Sequence, residues 1–121
     1  MEIDRIFEMI ADGADETNRQ KGIEEGRKVR FLSVFCQPRE GKRYWDGCAE
    51  ILAGKTDAEL KPYLFDLLEW LKDLTWPGAE RMFDRLTRFP PEAIEQERQI
   101  CLQMAEGSGD EVWRRNLTSL R

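Results

Sequence analysis

Residues 60–89, LKPYLFDLLEWLKDLTWPGAERMFDRLTRF, leave the chain little choice of fold. Leu60, Tyr63, Leu64, Leu67, Leu68, Leu71 and Leu74 repeat at the i, i+3, i+4, i+7 spacing of a helix with one buried stripe. Ala79, Met82, Phe83, Leu86 and Phe89 do the same after an interruption at Trp76-Pro77. Two such stripes must be covered by other helices, so this region predicts helix packed on helix.

The flanking sequence obeys the same period. Ile3, Ile6, Phe7 and Ile10 mark a first helix over about residues 2–11, stopped by Asp12-Gly13. Polar residues 13–21 read as a loop or a frayed turn. A second helix is expected over 23–36, with Phe31, Leu32, Phe35 and Cys36 inward and Gly26 weakening its first turn. Tyr44, Trp45, Cys48, Ile51 and Leu52 mark a third over 42–53, ended by Gly54. Thr56 or Asp57 caps a short DAEL turn, and the main fourth helix starts near Lys61-Pro62. A fifth starts at Pro77, with Thr75 or Trp76 as its cap. Pro90-Pro91 opens a sixth over 91–105, closed by Gly107-Ser108-Gly109. Asp110 caps a last helix through Leu120 that buries Val112, Trp113, Leu120 and either Asn116 or Leu117. No stretch alternates with the period of a strand. The chain therefore reads as one all-α domain, 1–121, of about seven helices joined by short loops, with successive helices as antiparallel neighbours. Helix pairs stacked as a short α-solenoid and a compact helical bundle both satisfy this pattern.

Composition narrows the function classes. The chain is 40% apolar and 36% charged, with a formal net charge of −5. That balance suits a soluble folded chain and a basic protein partner better than nucleic acid, whose binding rests on neutralising phosphates. The charge is uneven. Glu2, Asp4, Glu8, Asp12, Asp15 and Glu16 precede a basic stretch holding Arg19, Lys21, Arg27, Lys28, Arg30, Arg39, Lys42 and Arg43. The two stretches are expected to neutralise each other, with a nucleic-acid patch over Arg19–Arg43 as the weaker alternative. Cys36, Cys48 and Cys101 are odd in number and widely spaced, which argues for core thiols in a reducing cytosol rather than disulfides. The acidic, amphipathic start does not read as a signal peptide, and no apolar run is long enough for a membrane span.

Histidine is absent, and with it the commonest general base and metal ligand. No glycine-rich phosphate loop, calcium loop or cysteine zinc cluster occurs, and neither Cys36 nor Cys48 has a histidine to activate it. We therefore expect no catalytic residue, no metal site and no cofactor; a hydrolase working with carboxylates alone ranks last. Two acidic faces are the better candidates for function: Asp66, Glu69 and Asp73 on the fourth helix, opposite its leucines, and Glu80 with Asp84 on the fifth. Solvated helix surface and a docking face for a basic partner are the competing readings. Four tryptophans, Trp45, Trp70, Trp76 and Trp113, fill gaps between helices, and Trp70 or Trp76 near the corner is the candidate anchor for a partner.

Leu67, Leu68, Glu69, Trp70, Leu71, Asp73, Trp76, Pro77 and Ala79 resemble the LLEWLxDxxWPxA signature of a small bacterial domain family of unknown function. Asp110-Glu111-Val112-Trp113 and Leu117 resemble its last helix. The resemblance covers about residues 55–120 and leaves the first three helices, 1–54, outside it. It implies a HEAT-like helical repeat fold and a likeness to immunity proteins of bacterial toxin systems. It carries no catalytic residue. The resulting expectation is a non-enzymatic cytoplasmic protein-binding module whose partner is a basic toxin domain; a self-associating scaffold is the alternative.

Overall fold

The computed structural model describes residues 1–120. Helix α1 (Ile3–Ile10) is followed by α2 (Glu16–Gly26), α3 (Trp45–Ala53), the single turn α4 (Asp57–Leu60), α5 (Leu64–Glu69), α6 (Ala79–Thr87), α7 (Pro91–Ser108) and α8 (Glu111–Ser119). Short 3-10 helices occupy Leu32–Phe35, Lys42–Tyr44, Lys61–Tyr63 and Trp70–Lys72. Among the described residues there is no strand. The all-α expectation holds, and with α4 set aside so does the count of about seven helices.

The largest departure lies before residue 40. The predicted loop over 13–21 is mostly α2, and the predicted helix over 23–36 survives only as its last turn and one 3-10 turn. Asp15 explains the start of α2: its side chain accepts the Asn18 N–H at 2.9 Å, an N-cap. Gly22 and Gly26 explain why it is worth forming. Both are buried, and a Cβ on Gly22 would stand 2.8 Å from Ile10 Cγ2, one on Gly26 2.4 Å from Ile51 Cδ1. These glycines let α2 lie directly against α1 and α3. The helix gives up propensity and gains close packing.

The fourth helix is a broken run rather than one cylinder. Thr56 and Glu59 form a capping box around α4. Pro62, which has no N–H to donate, then falls in a 3-10 turn. After α5 a second 3-10 turn ends at Lys72, and Asp73 adopts extended backbone. Helix α6 begins only at Ala79, capped by Gly78 at φ +81°, so Pro77 precedes the helix rather than opening it.

The expected packing of the fourth helix against the fifth survives chiefly at the 70–72 turn. Helix α5 packs chiefly on α7, and α6 packs on α3 and on the 70–72 turn. Helix α8 pairs with α7 and covers the same turn. These contacts across the sequence gather one core cluster that runs from Ile6 to Leu120.

Two buried cations tie the elements together. Lys55 Nζ donates to the carbonyls of Arg27 and Val29 beyond α2. Arg85 on α6 donates to the Lys55 carbonyl at 2.9 Å and to Asp57 Oδ1 at 2.6 Å, with its guanidinium over Phe89. Their polar heads are satisfied inside, which is what permits burial.

Candidate interaction surface

Three of the four tryptophans are structural pins. Trp70 is fully buried, and its indole N–H donates to the Pro77 carbonyl at 3.0 Å, closing the 73–78 turn over the end of the helical run. Trp113 donates to the Leu68 carbonyl at 3.0 Å. Trp45 donates to the Pro38 carbonyl at 2.9 Å. A buried indole with its N–H bonded has nothing left to offer a partner, so the candidacy of Trp70 as an anchor is withdrawn.

Trp76 is different. It is half-buried, and its indole N–H makes no hydrogen bond among the described residues. Its ring stands edge-on to Trp45, 5.6 Å between centroids and 87° between planes, and Trp45 in turn meets Trp70 at 6.1 Å and 75°. Lys42 Nζ lies 5.7 Å from the Trp45 ring centre and 5.5 Å from that of Trp76. A polar cavity of about 380 Å³ opens beside this cluster, lined by Asp46, Trp76, Glu80 and Arg81 among others. Gly78 is required beneath it: besides its positive φ, a Cβ there would come 2.6 Å from Ala49 Cβ and 2.9 Å from the Trp45 carbonyl.

The acids expected on one face are divided. Asp73 is off the helix. Its Oδ1 accepts from the Thr75 hydroxyl at 2.5 Å and the Thr75 N–H at 2.8 Å. Those bonds, with Lys42 nearby, hold its carboxyl below the usual range. It is a turn-forming residue. Asp66 is exposed and Glu69 half-buried on α5, beside α7. Glu80 and Asp84 are exposed on α6, beside α3. Among the described residues these four carboxylates form no ion pair, whereas ten other pairings do occur.

The basic stretch is partly consumed, though not as expected. Arg19 pairs with Asp46 at 3.1 Å and Glu50 at 2.9 Å, and Arg81 reaches the same two carboxylates. Among the described residues no ion pair joins residues 1–16 to 17–43. Asp46 and Glu50, one turn apart on α3, are instead the acids that hold α2 and α6. Sequence reading missed this pair because neither lies in a charge run. It also missed the contact of Lys42 with Trp45, whose i, i+3 spacing was the available signal.

The thiols are quiet. Burial, assisted by the Asp66 charge, pushes Cys36 up to about 12. Burial pushes Cys101 up to about 11 and raises Cys48 as well. Neutral thiols are poor nucleophiles and poor metal ligands. Among the described residues no three acids or thiols converge on a common point that would hold a metal ion.

With this geometry in place, residues 45–120 match the family model of a domain of unknown function (DUF5071). The chain belongs to the DUF5071 family. No curated protein and no solved structure matches it. The DUF5071 stretch begins at Trp45 rather than at residue 55, so α3 falls inside it. The Trp45–Trp76 contact and the Asp46–Glu50 pair are thus internal to the DUF5071 portion, and α1 and α2 precede it. Among the described residues no helix is long and apolar enough to cross a membrane.

Proposed function

We propose that this DUF5071 chain is a non-enzymatic, cytoplasmic protein-binding module that presents acidic helix surface to a basic partner. The observation that carries this reading is the placement of four carboxylates that form no ion pair among the described residues, Asp66 and Glu69 on α5 and Glu80 and Asp84 on α6, on the helix surface of the DUF5071 stretch. Unpaired exposed acids raise the rate of encounter with a positive surface and keep out negative ones. The half-buried Trp76, adjoining Glu80 across the cavity, supplies an amphipathic ring of the sort that anchors interfaces.

An immunity protein that occludes a basic toxin domain is the specific form of this reading, with the helices acting as a HEAT-like stack. The tie of Arg19 to Asp46 and Glu50 weakens the alternative of nucleic-acid binding through the basic stretch, since a cation already paired releases fewer counterions on phosphate. The test begins with the tagged chain purified from its host and the co-eluting protein identified. Association rates are then compared for Asp66→Lys/Glu69→Lys and Glu80→Lys/Asp84→Lys. A basic partner whose association slows in at least one double variant, with the loss shrinking at high salt, supports the reading. Unchanged rates in both variants remove it.

A further inference from the structure

We propose that the seam between α5 and α7 is the docking site, and that it receives an amphipathic helix whose apolar stripe is flanked by lysine or arginine. This inference rests on the protein-binding reading above and assigns it a place and a shape of partner.

Three large apolar side chains stand unusually open here: Phe65 at 44%, Ile100 at 38% and Met104 at 49% exposed. Scattered singly they would need no explanation, but their positions are connected. Lys61 bonds the Ala93 carbonyl and pairs with Glu97 at 3.1 Å, pinning the start of the α5 run to one side of α7. Phe65 follows Lys61 by one helical turn. Ile100 and Met104 follow Glu97 by one and two turns, on the side of α7 that Lys61 reaches. Helix α5 packs along α7, so the three side chains border one seam. The spacing of Ile100 and Met104, i and i+4, suits the grooved surface that receives helical anchors.

Charge decides the occupant. Turning round α5 away from its buried leucines, Phe65 comes first, then Glu69, then Asp66. Both carboxylates lack an ion-pair partner among the described residues. An apolar seam with an acidic margin repels a second copy of itself and attracts an apolar stripe with basic margins. Methionine at the seam adds a side chain able to repack around varied partners.

The probe is a synthetic helical peptide with leucines at i, i+3, i+4 and i+7 and lysines on either side, set against a scrambled peptide of the same composition. Methyl resonances of Ile100 and Met104 and amides around Phe65 are followed by NMR on the full chain. The expected result is saturable shifts at these positions with the patterned peptide only. Phe65→Ser/Ile100→Ser should weaken binding by about tenfold or more. Asp66→Lys/Glu69→Lys should weaken it at low salt and much less at high salt. Three of the four positions changed are exposed and Glu69 is half-buried, and an unaltered circular dichroism spectrum checks that both variants fold. Equal response to the scrambled peptide, or no response to either, overturns the seam. Shifts centred on Glu80 and Asp84 also overturn it while leaving the binding-module reading in place. A dimer of the chain alone that Phe65→Ser dissociates replaces the basic helix with a second copy.

Discussion

The two ends of this molecule are held together by opposite means. Around α2 the fit depends on side chains that are missing: Gly22 meets Ile10, and Gly26 meets Ile51, at distances no Cβ would tolerate. Around the 70–78 turn Gly78 also has to lack a Cβ, but most of the fit depends on side chains that are as large as they come. Trp70 and Trp113 fill the interior and spend their N–H groups on the Pro77 and Leu68 carbonyls. Close approach without side chains gives a thin, shape-dependent contact. An indole pin gives area and direction at once. Both of these indole pins lie inside the DUF5071 stretch.

The contrast is broken most severely at Trp70. Replacing it with alanine removes the largest buried ring and leaves the Pro77 carbonyl without its donor. The expected loss is about 3–5 kcal/mol, read from urea unfolding midpoints at constant m-value. Trp70→Phe keeps most of the volume and loses the bond, so it should lie well below that figure. If the two variants were equally damaging, the hydrogen bond rather than the volume would be the pin.

Gly26→Ala tests the other end and should cost less. One methyl must displace the Ile51 side chain from 2.4 Å, and overpacking of this kind costs about 1–3 kcal/mol, partly offset by the better helix propensity of alanine. The pairing Gly26→Ala with Ile51→Val gives the methyl some room. Recovery in the double variant measures the contact itself, as a coupling between neighbours. Should Gly26→Ala instead stabilise the chain, α2 is not pressed on α3 and the comparison fails.

The same contrast governs what the sequence could tell. Apolar periodicity located α1, α3, α6, α7 and α8 to within a few residues, because each turns a continuous stripe inward. It failed at α2, whose buried face is Gly22, Ile23 and Gly26, a stripe with almost no hydrophobic signal. It overextended the fourth helix because Leu71 and Leu74 keep the helical spacing after the backbone has turned away at Asp73. Partners were less legible than elements. Nothing local indicates that α5 seeks α7 and α6 seeks α3, or that Lys55 and Arg85 point inward. Of the candidate site, the exposure of Asp66, Glu80 and Asp84 was readable from the wheel. The burial of Trp70 was not, since its position at the margin of the stripe leaves either fate open, and Phe65, Ile100 and Met104 gave no sign of standing out.

The smallest effect sharpens the comparison through its thiols. Cys36 lies in the region built before α3, and Cys101 lies on α7. Burial raises both from an ordinary value of 9.0, to about 12 for Cys36 and about 11 for Cys101. Between the unfolded and folded values each thiol keeps its proton in the native chain and has lost it in the unfolded one. The unfolded state then binds fewer protons, so stability falls as pH rises past about 9. Cys36→Ala and Cys101→Ala should each flatten that decline relative to the parent chain, measured as the change in urea midpoint from pH 8 upward. Up to about pH 11 the two variants should flatten it alike. Beyond that, Cys101 begins to ionise in the folded chain and its contribution stops growing, while that of Cys36 continues. A Cys36→Ala variant that parallels the parent throughout would mean that its sulfur is open to water, and that the packing around the Leu32–Phe35 turn is looser than the contact of Cys36 Sγ with the Leu32 carbonyl at 3.5 Å implies.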